Sequence, residues 1–312
     1  MPLPSPGALW TIWLRFPNDA QAPTPIMPAT SLKLIVLARD QGPRVQDAWA
    51  ELSAFLDNAE GVEVVAAAVT EDLADPPPEA DLVVVLGGDG AILRACRQLA
   101  ATQRPILGVN LGRLGFLAEL SLDEFRDNLP AICDRQYRVI EHLMFECQHE
   151  SSSGQTETII GLNEVALSAG ASLTMLDVQL QIDGEDVTTF SGDGVIISSP
   201  VGSTAHSLSA GGPILRQDLQ AFVVTPMNPH TLSNRPLVDR ADRRYTLTMD
   251  EAPEGVTLVV DGQVRRPFAA GDAIHVARSE LTFQLARIPG HSYYSALRNK
   301  LGWSGQVRAR GR

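Results

Sequence analysis

Leu82-Val83-Val84-Val85-Leu86-Gly87-Gly88-Asp89-Gly90 decides how this chain folds. Five apolar residues in a row do not alternate; they suit a strand buried on both faces, as in a parallel sheet. Beyond the glycines, Ile92, Leu93, Cys96, Leu99 and Ala100 recur on one side of a helical period. Buried strand, glycine turn and amphipathic helix make a βα unit, with Gly87–Gly90 at the carboxyl end of the strand. Open α/β sheets bind ligands there. Glycines let backbone N–H groups approach phosphate oxygens with no Cβ in the way. Asp89 adds a carboxylate to that anion cradle, which suits a group handling a hydroxyl proton or a metal ion during phosphoryl transfer. Taken alone, the motif is also compatible with a plain tight turn.

The flanking sequence extends the same pattern. Leu32–Ala38 and Val62–Ala68 read as strands on either side of a helix carrying Val45, Trp49, Leu52 and Leu56, and Ile106–Val109 as a further short strand. Ser121-Leu122-Asp123-Glu124 has the form of a capping box opening a helix with Phe125 and Leu129. Strands alternating with helices predict a parallel α/β sheet. From about Tyr137 helical periodicity nearly vanishes. Alternating segments follow at Val139–Cys147, Thr156–Ser168, Leu173–Ile182, Gly194–Ser198, Arg244–Met249, Val256–Val260 and Ala273–Leu285. Turn pairs such as Asp183-Gly184 and Asp261-Gly262 punctuate them. The second half is therefore expected to be a mostly antiparallel β domain. The expected division is an α/β domain over residues 31–140, a β-rich domain over 141–285 and a tail over 286–312.

Composition bounds the partners. The 312 residues leave room for two domains, and 44% hydrophobic with 20% charged residues is ordinary for a soluble globular protein. A net charge of −12 argues against nucleic acid or an anionic membrane as partner. Three cysteines, Cys96, Cys133 and Cys147, are too few and too scattered for a disulfide framework or a zinc cluster. Reduced thiols in a cytoplasm are the simplest fit. The only lysines are Lys33 and Lys300, and neither follows a glycine-rich loop, which excludes a Walker-type phosphate loop. Residues 1–30 carry seven prolines and no periodicity, and read as a disordered extension or a start codon placed too early, with Met27 as the alternative. No secretory or membrane-spanning segment is expected.

A second dense cluster runs from Gly192-Asp193-Gly194 through Ser198-Ser199-Pro200-Val201-Gly202-Ser203-Thr204-Ala205-His206-Ser207-Leu208-Ser209 to Gly211-Gly212-Pro213. Its hydroxyls and glycines are poor core material and suit a backbone-lined site for a polar ligand. A Ser/Gly-rich surface loop is the plainer reading, but the apolar strand Val195–Ile197 directly before it favours a positioned loop.

With these motifs in order, the chain resembles the NAD kinases, which phosphorylate NAD to NADP. Gly87–Gly90 is similar to the family's GGDG motif, Asn163-Glu164 to its NE motif and Gly192–Pro213 to its long third motif. Asn110–Leu117, His230–Leu237, Val260–Gln263 and the tail Leu297–Trp303 also fit, so the resemblance spans about residues 32–303. It implies a two-domain fold whose C-terminal domain is β-sandwich-like and whose tail returns to the first domain. It also implies a homodimer or homotetramer in which neighbouring subunits complete the dinucleotide site.

The implied reaction transfers the terminal phosphoryl group of ATP or polyphosphate to the 2′-hydroxyl of the adenosine ribose of NAD. Asp89 is expected to take or orient the hydroxyl proton. Gly87, Gly88, Gly90 and Arg94 are expected at the donor phosphates, with Mg²⁺ or another divalent cation bridging these. No protein metal cluster is expected. Asp89, Gly90, Asn163, Glu164, Asp193, Thr204, Ala205, His206 and Ser209 are the expected NAD contacts, Glu164 offering two acceptor oxygens. Asp193 is the better candidate than Asp261, whose Asp-Gly pair has ideal hairpin form. Three departures from the family pattern stand out: Ala91 for threonine, His206 for tyrosine and Val201 for threonine. Two rivals remain. GGDG also occurs in diacylglycerol kinase-like and phosphofructokinase-like enzymes, without the downstream motifs. A silent NADP sensor would fit Ala91 and His206 but not the retained Asp89.

Overall fold

The computed structural model describes residues 31–38, 42–69, 73–112, 115–170, 174–231 and 234–303. The proline-rich residues 1–30 lie outside the described residues, as do Arg113, Leu114, Leu232 and Ser233 of two motifs.

The N-terminal part is a three-layer α/β unit. Strands β1 (Leu32–Ala38), β2 (Val62–Ala68), β3 (Leu82–Leu86) and β4 (Ile106–Val109) form a parallel sheet in the order β2-β1-β3-β4. Helices α1 (Pro43–Leu56) and α3 (Leu122–Cys133) cover one face, where Leu34, Val36 and Val84 meet Leu52, Phe125 and Leu129. Helix α2 (Asp89–Leu99) covers the other, setting Ile92, Cys96 and Leu99 against Ile35, Leu37, Val83 and Val85. All five residues of β3 are buried, which is what its unbroken apolar run requires. Helix α1 crosses one face from β1 to β2 while α2 crosses the opposite face from β3 to β4. Between β1 and β3 the connections diverge, and Gly87–Gly90 lies at this switch point. Ala100, expected on the apolar face of α2, is exposed and ends the helix at φ +41°. The capping box on α3 is present: Glu124 N donates to Ser121 Oγ (3.2 Å) and Ser121 N to Glu124 Oε2 (2.7 Å).

The remaining strands are β5 (Arg138–Glu150), β6 (Thr156–Gly161), β7 (Glu164–Ser168), β8 (Leu176–Ile182), β9 (Glu185–Gly192) and β10 (Gly194–Ser198). They continue with β11 (Ala221–Met227), β12 (Leu237–Arg240), β13 (Tyr245–Thr248), β14 (Thr257–Val260), β15 (Val264–Pro267) and β16 (Ala273–Arg287). Two short helices complete the list, α4 (His206–Ser209) and α5 (Tyr293–Leu301). Strands β12-β11-β10-β7-β14-β15 form a six-stranded antiparallel sheet. Its inner face, with Val165, Leu167, Val195 and Ile197, packs on Phe145, Leu180, Tyr245 and Ile274 of the other sheet to give a sandwich core. That other sheet is continuous with the parallel one. Strand β16 pairs antiparallel with β5 and β13, and at its end Leu285 pairs parallel with Ile106 of β4.

One expected element divides. Thr156–Ser168 is two strands, because β6 pairs with β5 in the first sheet and β7 with β10 and β14 in the second. The chain changes sheets at Leu162-Asn163. Strands β9, β11, β12 and β15 were not among the expected segments. The first five residues of β9 are exposed, so that edge strand carries little hydrophobic alternation. No described helix is long and apolar enough to cross a membrane.

Candidate active site

The turn after β3 is organised around the side chain of Asp89. Its Oδ2 accepts from Phe116 N (2.8 Å), and Oδ1 accepts from Leu117 N (3.0 Å) and Ala118 N (3.1 Å). A Cβ on Gly115 would lie 1.9 Å from Oδ1, so only glycine there admits the carboxylate. Gly87 has φ +136°, the region that favours glycine. An ionised carboxylate offers about four lone-pair sites. Three are taken by the 116–118 backbone, and the open one is on Oδ2. Asp89 is half-buried. Ala91 is 4% exposed and lies in the same core cluster as Val83 and Val85.

The sheet crossing at Leu162-Asn163 forms the second part of the site. The third motif lies against it, backbone on backbone. A Cβ on Gly202 would sit 2.1 Å from the Asn163 carbonyl oxygen. That oxygen accepts from Ser199 N (2.9 Å) and Ser198 Oγ (3.2 Å), and Leu162 O accepts from Ser199 Oγ. The hydroxyls of this motif are largely internal, contrary to expectation. Ser203 is fully buried, donates to Pro200 O (2.6 Å) and accepts from Leu215 N (3.0 Å). Ser207 pairs with Thr225 at 2.9 Å, and Thr204 donates to Val201 O at 3.0 Å. These bonds hold the loop in shape. Thr204 and Ala205, half-buried, and His206 and Ser209, exposed, are left to face outward.

Asp261 holds the two parts together. Its hairpin turn is real, with φ +52° at Asp261 and +67° at Gly262, but the side chain is fully buried. Oδ1 accepts from Leu162 N (3.1 Å), Asn163 N (2.7 Å) and Glu164 N (3.3 Å), while Arg97 of α2 donates to Oδ2 at 3.1 Å. Arg97 also donates to Gln263 Oε1, and Gln263 Nε2 donates to Gly90 O at 2.8 Å. The helix that starts at Asp89 and the Asn163-Glu164 turn are thus bound through one hairpin. The turn signature masked this role, since side-chain direction at a hairpin is a tertiary property.

Burial pushes both nearby carboxyls up. Asp261 has Arg97 and three backbone N–H groups to carry its charge. Glu164 is 5% exposed and lies near the backbone N–H of His206 and the Asp261 charge. Its pKa is raised to about 8 by burial first and Asp261 second. A raised pKa favours the protonated form, and Glu164 Oε2 has no protein partner.

Asp193 stands apart from this cluster. Gly194 pairs with Ser168 and Ser198 with Glu164, so Asp193 is at the far end of β10, roughly 15 Å away at strand spacing. It is exposed and accepts from Asn228 Nδ2 at 2.7 Å. Arg94 lies on α2, half-buried.

Comparison with known proteins bears on this arrangement directly. The ATP-NAD kinase N-terminal domain family matches residues 57–137, and the ATP-NAD kinase C-terminal domain family matches residues 162–288. The chain is 44% identical over 280 residues to a NAD kinase of Rhodopirellula baltica, covering 89% of each chain. To a NAD kinase of Geobacter sulfurreducens it is 37% identical over 279 residues, covering 87% of this chain and 98% of that one. This chain belongs to the NAD kinase family. Its fold is also that of solved structures. A yeast NADH kinase complexed with NADH superposes with a TM-score of 0.82 at 23% identity, covering 92% of this chain and 91% of that one. A NAD kinase from Archaeoglobus fulgidus in complex with ATP gives a TM-score of 0.67 at 26% identity, covering 88% of this chain and all of the other. The chain is an enzyme of the NAD kinase type, and the diacylglycerol kinase-like and phosphofructokinase-like readings fall away.

Proposed function

We propose that NAD is phosphorylated at the carboxyl end of β3, with Asp89 accepting the hydrogen bond of the adenosine 2′-hydroxyl through the open position on Oδ2. The backbone of Gly87, Gly88 and Gly90, with Arg94, receives the donor phosphates. Asn163, Glu164, Thr204, Ala205, His206 and Ser209 take the dinucleotide. Phosphoryl transfer leaves the protein little covalent chemistry, so fixing donor against acceptor is the main task. The Arg97–Asp261–Gln263 bridge between Gly90 and Asn163 carries this reading, because it ties the donor turn to the acceptor turn.

A divalent cation fits as part of the donor. Among the described residues no group of three or more His, Cys, Asp or Glu could hold a metal ion alone. A glycine turn with no such group beside it suits an ion that takes its ligands from phosphate and water. That ion would offset charge on the transferring phosphates. Asp193, remote from its own subunit's cluster, would serve a neighbouring subunit's dinucleotide in a homodimer or homotetramer. ATP is the first donor to test and polyphosphate the second. Three free cysteines, two of them buried, accord with a cytoplasmic setting.

The test pairs ATP, GTP and polyphosphate with NAD and NADH, reading NADP or NADPH formation enzymatically. Turnover of NAD with ATP or polyphosphate is expected. Tight NADP binding with no turnover from any donor would make the chain a sensor instead.

A further inference from the structure

Asp89 is oriented by the N–H groups of residues 116–118, and the C-terminal tail reaches this segment from both ends. Main-chain bonds within the first domain give the segment its shape. Gly115 N donates to Ala118 O (3.1 Å), and Asn110 N, just after β4, donates to Leu120 O (2.6 Å). The side chains of Glu119 and Phe116 meet the tail instead.

At one end, Arg287, the last residue of β16, donates to Glu119 Oε1 at 2.8 Å. The two side chains are only 10% and 9% exposed, so salt and water screen this pair little. Burial pushes the Glu119 carboxyl up, and the Arg287 and His291 charges of the tail work against that. The Asp89 charge pushes it up as well, so Glu119 lies within electrostatic reach of Asp89.

At the other end, Lys300 Nζ lies 5.6 Å from the centre of the Phe116 ring, a cation–π contact. The chain places this ammonium by folding α5 between two definite stops. Ser295 N donates to Ser292 Oγ at 3.1 Å in a capping box that opens the helix, and Gly302 closes it at φ +67°. Tyr293 Oη donates to Leu215 O at 2.9 Å, and Leu297 is buried, so the helix is anchored at its start and in its middle. Lys300 itself is exposed in the last turn.

We propose that Arg287 and Lys300 are positioning residues for phosphoryl transfer. The tail grips Glu119 and Phe116, so that the 116–118 backbone keeps Asp89 aimed at the acceptor hydroxyl. This role rests on Asp89 acting at that hydroxyl, as proposed above. Neither cation has to meet the reacting atoms, because a small misplacement of a positioned group already costs a large factor in rate.

A double-mutant cycle with Asp89→Asn tests this, since residues that act through one group are not additive. Arg287→Met is expected to lower kcat about tenfold or more, with KM for NAD held within about threefold. In the Asp89→Asn background the same change should alter kcat by less than about twofold. Arg287→Lys, which keeps the cation, should recover most of the loss. Lys300→Ala changes an exposed side chain and should repeat the pattern at about two- to fivefold, with Lys300→Arg restoring kcat. Thermal melting checks each fold, and the Lys300 cycle decides the matter if Arg287→Met does not fold. Equal fold-losses in the two backgrounds would overturn the proposal. So would an unchanged kcat in the folded variants, or a rise in KM in place of a fall in kcat. A near-wild-type kcat in Asp89→Asn alone would strike the Asp89 reading itself and this role with it, a failure distinct from additivity.

Discussion

Asp89 and Asp261 do the same thing to the backbone in two different parts of the molecule. Each carboxylate accepts from three consecutive N–H groups of another segment, 116–118 for Asp89 and 162–164 for Asp261. What separates them is the rest of their surroundings. Asp261 is sealed in and paired with Arg97. Asp89 is half-buried, pairs with no cation among the described residues and keeps one lone-pair position open. A carboxylate whose hydrogen-bonding positions are all taken by the protein is a clamp. One left partly unanswered can serve a ligand as well.

The largest effect should follow from breaking the sealed pair. Asp261→Ala leaves Arg97 and three turn N–H groups without their acceptor, and removing one partner of a buried pair costs about 3–5 kcal/mol. Urea denaturation should show a loss of that size, together with weakened NAD binding. A loss below about 1 kcal/mol would mean that the 162–164 turn holds itself, and the comparison would fail.

Asp89→Asn sharpens the other side. The amide oxygen can keep Leu117 N and Ala118 N, but the amide nitrogen would face Phe116 N, at a cost of about 1–3 kcal/mol. The folded protein should still bind NAD yet lose kcat by two or more orders of magnitude, the scale of a lost general base. A near-wild-type kcat would reduce Asp89 to a second clamp.

This pair also marks how far the sequence could be read. Strands β1, β2 and β3 are legible to the residue; in β3 both faces are buried and the apolar run starts and stops with the strand, whereas β2, at the sheet edge, is only partly buried. The GGDG turn and α2 follow for the same reason. The split between β6 and β7 is not legible, since alternation continues through Leu162-Asn163 while the chain passes from one sheet to the other. Asp261 reads as a turn residue and is one, but its partners lie roughly 100 positions away. Serines of the third motif carry no mark telling a loop brace such as Ser203 from an outward residue such as Ser209. Asp193 is part of that motif in sequence yet remote from its loop in space, because β10 intervenes.

Glu164 gives a smaller effect with a definite sign. Its folded pKa is raised from 4.5 to about 8, so folding takes up a proton between those values. The stability this contributes is fully present below about pH 4.5 and is lost as pH rises through about 8. Glu164→Gln cannot ionise and should abolish that part of the decline. Unfolding free energies at pH 6, 7, 8 and 9 should therefore fall more steeply in the wild type than in the variant. Parallel curves would place the proton elsewhere, and Glu164 would then face NAD as a carboxylate.

The smallest effect should come from His206. Its backbone N–H lies near Glu164, while its side chain is exposed and forms no hydrogen bond with another described residue. His206→Tyr, which restores the aromatic residue usual at this position in the family, keeps that N–H. Stability should therefore stay within about 0.5 kcal/mol of wild type, as for surface substitutions in general. The third motif is braced from beneath by Ser199, Ser203 and Ser207, so exchanging an outward ring should leave its path unchanged. The variant should keep kcat and shift KM for NAD by a few-fold at most. If kcat drops tenfold or more, the ring is aligning the acceptor. The division between an internal brace and an outward contact surface would then have to be redrawn at His206.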